Sequence, residues 1–216
     1  HNYKSVVKNE DLKSKFLQTQ LQLKEQELKF LKMQIHPHFL FNSLNTIYGF
    51  ALKKEDETPE MILKLSNLLD YILYQVKKPK VSLKEEIAHI KEYIELEKIR
   101  FRDTLHIEFK SQIDNEHIEI PPMLLLPFVE NAFKHGSIVD GVLSIIIEVI
   151  FLNGNLSFSI KNSINFKRKE EGNGIGLDTV QKRLDLLFKN SYDLTVNSEK
   201  DWFEVFLNIQ KMNENG

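Results

Sequence analysis

The sequence predicts an α+β protein in two parts. A helical hairpin that pairs with a second copy as a four-helix bundle precedes an α/β sandwich of helices on a mixed sheet. Three observations carry this. Residues 10–35 are rich in Leu, Lys, Gln and Glu and contain neither Gly nor Pro, the composition of a long helix. Residues 143–151 and 155–161 alternate in polarity around Asn153-Gly154, a β-hairpin signature. Helical periods also recur at 83–101 and 177–188, so helices and strands belong to one layered unit.

Along the chain, Leu21, Leu28, Leu31 and Ile35 form a heptad seam interrupted by Lys24, while Leu12, Phe16, Leu23 and Phe30 form a second stripe. Two apolar stripes suit a bundle better than a simple two-stranded coil. The same register reaches His38 and Asn42, which predicts a continuous helix. Pro37 kinks it, because a helical proline loses a backbone bond and clashes with the preceding turn. His36, two residues before His38, is expected to be solvated.

Residues 53–59 read as a turn, with Thr58 as N-cap and Pro59 at the first helical position. A second helix then runs to about residue 76, with Ile62, Leu65, Leu68, Leu69, Ile72 and Leu73 on its inner face. Two such antiparallel helices need a partner, and a homodimer supplies one. A boundary at 77–80 separates residues 1–80, the dimerisation part, from residues 81–216, the sandwich. Ser82 and Glu85 form a capping box that opens the helix over 83–101. A strand is expected at 105–109, a helix at 122–135, a loop at 163–173, and closing strands at 192–197 and 202–209.

Composition excludes several functions. With 29 basic and 31 acidic side chains, the net charge of −2 leaves no footprint for nucleic acid. Seven scattered His without Cys give no closed zinc site, and the lack of Cys fits a reducing compartment. No run approaches the roughly 20 apolar residues that cross a bilayer. The chain starts at His1, so it reads as a fragment whose missing N-terminal part could hold membrane spans.

Chemistry concentrates at three stretches. Gly172, Gly174 and Gly176 precede a helix that begins at Leu177, where glycine lets backbone amides approach phosphate and the helix N-terminus favours the anion. Alone this equally describes an ordinary helix start. Glu130, Asn131, Lys134 and His135 sit on one predicted helix, with Asn131 and His135 sharing a face. An amide oxygen is a hard ligand suited to Mg²⁺, and Lys134 adds positive charge. The plainer reading is a solvated helix end. His38, beside Phe39, Leu40 and Phe41, could equally be a core residue, yet its imidazole, with a pKa of about 6.5, is nucleophilic when neutral. Asn42, four residues on, shares its face.

Residues 34–45 (QIHPHFLFNSLN) resemble the signature of LytS/YehU-type sensor histidine kinases. The rest resembles their ATP-binding domain of the Bergerat fold, including Tyr93, Glu97, Arg100 and Phe101. The resemblance implies a protein-histidine kinase that uses ATP and Mg²⁺ to phosphorylate His38, with Asn131 as the Mg²⁺ ligand. It implies Lys134 and His135 as phosphate neighbours and Gly174 and Gly176 as hinges of an ATP lid. Phosphate would then pass to an aspartate of a response regulator of LytTR type. The chain would be the cytoplasmic portion of a bacterial inner-membrane protein. Movement about residues 77–82 would bring the γ-phosphate to His38.

Two departures stand out. Asn162 occupies the place of the adenine-binding Asp of the wider superfamily. A neutral hydrogen bond is worth about 0.5–1.5 kcal/mol against about 1.5–3 for a charged one, so weak ATP affinity is expected. Phe39 stands where many histidine kinases carry an acidic base, and Glu130 is the other carboxylate of the site. The alternative is a degenerate scaffold that dimerises and holds nucleotide weakly or not at all.

Overall fold

The structure is a computed structural model that describes residues 12–18, 21, 37–74, 78–115, 117–165, 175–189 and 191–212. Two compact units divide at Leu44 and Asn45. The second unit, Asn45–Gly216, contains the second helix of the sequence and the sandwich.

Residues 12–18 are helical and exposed. Helix α1 spans Pro37–Lys53. Continuity with the residues before Pro37, and most of the heptad seam, lie outside the described residues. Helix α2 is Thr58–Tyr74. It starts one residue earlier than its sequence suggested, because Thr58 Oγ1 donates to the Glu55 carbonyl at 2.8 Å instead of capping a helical N–H. Its buried face is Met61, Leu65, Leu68, Tyr71 and Ile72. Leu69 is half-buried, but Ile62 is 52% exposed: the inner stripe is rotated toward Met61 and Tyr71.

Strand β1 (Val81–Ser82) pairs antiparallel with β3 (Glu119–Ile120), a ribbon too short to leave a periodic signal. Helix α3 (Leu83–Phe101) opens on the expected capping box: Ser82 Oγ accepts from Glu85 N, and the Glu85 side chain accepts from Ser82 N. It packs against α2 through Tyr71 and His89, whose rings stack 3.7 Å apart.

The main sheet contains β2 (Leu105–Ile113), β4 (Leu143–Leu152), β5 (Asn155–Ser163), β6 (Tyr192–Glu199) and β7 (Trp202–Ile209), in the order β2-β4-β5-β7-β6. Only β2–β4 is parallel. Asn153, at φ 52°, and Gly154, at φ 78°, form the β4–β5 turn with the left-handed backbone that an Asn-Gly pair tolerates. Ile145, Ile147, Val149 and Phe151 of β4 face a buried layer with Leu156, Phe158 and Ile160 of β5, while the intervening residues are half-buried or exposed. Helices α4 (Leu126–His135) and α5 (Ile175–Phe188) join this α+β architecture. Among the described residues, no helix is long and apolar enough to cross a membrane.

Candidate functional site

Helix α4 starts at Leu126 rather than at residue 122. Met123 has φ 54°, a left-handed conformation that an α-helix cannot contain. Pro127 stands in the first turn, where it is tolerated. The amides of this entry turn are satisfied by one buried carboxylate. Glu86 Oε2 accepts from Met123 N at 2.8 Å, and Oε1 accepts from Leu125 N at 3.0 Å and Leu126 N at 3.2 Å. Glu86 is fully buried, which is tolerable because its oxygens are so well supplied with donors.

Two aromatic contacts fix the helix laterally. Phe133 meets Tyr93 of α3 edge-on at 5.6 Å and lies 6.1 Å from Phe101. Phe128 sits 5.6 Å from Phe158 of β5. Wedged this way, α4 leaves Asn131 half-buried and Lys134 and His135 exposed.

The chain leaves α4 through Gly136, and here the glycine is required by space. A Cβ at this position would lie 2.5 Å from the Ala132 carbonyl oxygen, 2.6 Å from Leu143 Cδ1 and 3.5 Å from Asn162 Nδ2. Ser137 N donates to the Ser163 carbonyl at 2.8 Å, and Ser163 Oγ donates to the Ser137 carbonyl at 2.8 Å. These bonds bring the end of β5, with buried Asn162, beside the end of the Asn131 helix. Asn162 Nδ2 donates to the Ser163 carbonyl at 3.2 Å, and its amide oxygen has acceptor capacity.

Glu130 is 5% exposed and lies in the field of Tyr93 and Glu97. Burial pushes the Glu97 carboxyl up to about 7, against the opposing pull of Arg100 and a hydrogen bond from Tyr93. Arg100 approaches Glu97 at 2.6 Å. Burial also raises the Tyr93 hydroxyl, helped by the negative charges of Glu97 and Glu130. The carboxylate named as a candidate base thus shares a buried setting with a second acid.

The structure therefore brings Glu130, Asn131, Lys134, His135 and Asn162 to one helix end and the strand beside it. Gly176 and Leu177 lie in the first turn of α5, and Leu177 is half-buried. Gly172 and Gly174 fall outside the described residues, as does His36. His38 lies in the first turn of α1, with its side chain outside the described residues, and Asn42 of the same helix is half-buried. Sequence reasoning missed Tyr71, Glu86 and Arg183. For Glu86 a signal existed: Leu83, Glu86, Ile90, Tyr93 and Glu97 recur at helical spacing on a buried face.

Among the described residues, no group of three or more His, Asp or Glu could hold a metal ion. A divalent cation here would rest on Asn131, ligand phosphates and water, an arrangement that suits Mg²⁺. The residues present fit such an ion and an adenine nucleotide.

Fold and site together define a class: an α+β domain with an asparagine-bearing helix beside a mixed sheet, preceded in sequence by a helix that carries a histidine. Comparison with known proteins gives the class its family. Residues 26–105 match the family model described as "Histidine kinase". The chain is 30% identical over 184 residues to the sensor histidine kinase BtsS of Escherichia coli K12, covering 83% of this chain and 32% of BtsS. It is 38% identical over 120 residues to the sensor protein LytS of Bacillus subtilis, covering 56% of this chain and 20% of LytS. Among solved structures, the histidine kinase domain of a blue-light activated kinase from Erythrobacter litoralis is similar, with TM-score 0.48 and 16% identity, covering 70% of this chain and 76% of that one. The chain is thus a relative of the LytS-type sensor histidine kinases, and residues 26–105 belong to the histidine kinase family. It spans about a third of the length of BtsS.

Proposed function

We propose that this chain is the catalytic portion of a sensor histidine kinase, which autophosphorylates His38 with Mg²⁺ and ATP and then serves an aspartate of a response regulator, of LytTR type by family resemblance. The observation that carries the reading is that Gly136, which ends the Asn131 helix, lies against Asn162 of β5, at a place where a side chain would collide with the Ala132 carbonyl. A hard oxygen ligand and an amide acceptor stand on adjoining elements, with exposed Lys134 and His135 beside them.

Mg²⁺ would neutralise charge on the triphosphate and orient it. Asn131 would hold the ion, and Lys134 and His135 would add positive charge at the phosphates. Asn162 would accept the adenine amino group. Gly172, Gly174 and Gly176, with Leu177 behind them, would present amides to the phosphates. A neutral His38 nitrogen attacks the γ-phosphorus, the bond to the bridging oxygen breaks, and ADP leaves. Such a transfer needs alignment and charge neutralisation more than covalent help. Glu130, or Asn42 through a water, would handle the proton. The whole protein would act as a homodimer, as the cytoplasmic part of a membrane-bound sensor.

Incubation with γ-labelled ATP and Mg²⁺ tests this. Label stable to alkali and lost in acid is expected, and His38→Ala should abolish it while nucleotide affinity stays within about twofold. Undiminished label on His38→Ala would move the acceptor elsewhere. No nucleotide binding by the unaltered chain would favour the scaffold.

A further inference from the structure

The turn that enters the Asn131 helix is held from two sides. From α3, Glu86 takes the amides of Met123, Leu125 and Leu126. From α5, Arg183 donates through Nη1 to the Met123 carbonyl at 2.7 Å and through Nη2 to the Pro122 carbonyl at 2.5 Å. Burial lowers the Arg183 guanidinium to about 10, and the charge of Glu86 opposes that fall. Met123 is therefore gripped at both its N–H and its C=O, in the left-handed conformation (φ 54°) that an unbranched side chain rarely adopts without such support. Tyr71 of α2 adds a hydroxyl that donates to Glu86 Oε2.

Arg183 lies seven residues, or two helical turns, beyond Gly176 on α5, while the gripped turn leads directly into the helix of Asn131. We infer that Glu86 and Arg183 are positioning residues that set the spacing between Asn131 and the first turn of α5. In the proposed function, that spacing is the gap a Mg²⁺-bound triphosphate has to fill, so this inference rests on that reading. Both act through the entry turn that they hold rather than on nucleotide itself. Arg183 suits the task because its planar fork reaches two carbonyls at once, which a lysine cannot do.

The test compares Arg183→Lys and Glu86→Gln with the unaltered chain by calorimetry. The ligands are a non-hydrolysable ATP analogue with Mg²⁺, and ADP in EDTA. Both variants should lose at least tenfold in affinity for the Mg²⁺-bound analogue, while ADP in EDTA stays within twofold. A general loss of structure would lower both affinities together, and that outcome overturns the inference, as does an unchanged affinity for the Mg²⁺ complex. If one variant melts below the assay temperature, the other decides. Absence of Mg²⁺-dependent binding by the unaltered chain would instead sink the proposed function itself and this inference with it.

Discussion

At the scale of single residues, Glu97 is the group whose environment departs most usefully from that of an ordinary carboxylate. It is 2% exposed, and burial sets its pKa near 7, with Glu130 adding to the rise and Arg100 and Tyr93 opposing it. In the unfolded chain the same group titrates near 4.5. Between those two values the folded state binds more protons than the unfolded state, so stability falls as pH rises through that window. Above about 7 the full cost of the buried charge is present. Glu97→Gln removes this proton linkage and leaves Arg100, which is 27% exposed, able to meet water. Denaturation of the variant and the unaltered chain from pH 4.5 to 8 should show their stability difference shifting in favour of the variant, by up to about 1.4 kcal/mol per unit. The shift should level off above about pH 7. A difference that does not vary with pH would show that Glu97 titrates as an exposed carboxylate does.

At the scale of elements, helix α3 shows what could be read and what could not. The Ser82–Glu85 capping box has a sequence signature because both partners lie in one short stretch, and the structure contains both of its bonds. Ser82→Ala should cost about 1 kcal/mol, a fall of roughly 2–4 °C in Tm for a chain this long. A melting curve unchanged by the substitution would mean that tertiary packing alone holds this end. The Ser82 amide holds the Glu85 carboxyl below its usual range, so the cap's contribution is present at neutral pH and lost as pH falls through that lowered value. By the same logic, the Asn153-Gly154 hairpin and the alternating strands were legible. The helix over 122–135 was read four residues too long, because Pro-Pro-Met-Leu-Leu-Leu has helical hydrophobicity but carries no mark of the positive φ at Met123. That conformation comes from Glu86 and Arg183, which are 37 and 60 residues away in sequence. Asn131 and Asn162 could be picked out one by one from local patterns. The meeting of their two elements depends on the fit of Gly136 against Leu143 and Asn162, which no local pattern encodes.

At the scale of the whole molecule, the question is what covers α1. Its buried side chains, Phe39, Ser43 and Ile47, occupy one stripe. Phe41, Leu44, Tyr48 and Leu52 occupy another, and are 65%, 48%, 64% and 67% exposed. Their spacing of three or four residues puts all four along one line of the helix. On α2, Ile62 and Leu63 are 52% and 60% exposed. Complete burial of each such side chain is worth about 1.5–3 kcal/mol, so an aqueous stripe of this length is a penalty that a second copy would relieve. A second copy meeting this face across a two-fold axis would give the four-helix-bundle dimer expected from the sequence. Sedimentation of the unaltered chain should therefore show a dimer at micromolar concentration, and Tyr48→Asp with Leu52→Asp should give a folded monomer. Gly136 and Asn162 lie far from these positions in sequence, so nucleotide affinity should survive the double substitution while autophosphorylation need not. That split would separate assembly from nucleotide binding. A monomeric unaltered chain, or a variant that remains dimeric, would assign the stripe to a different partner.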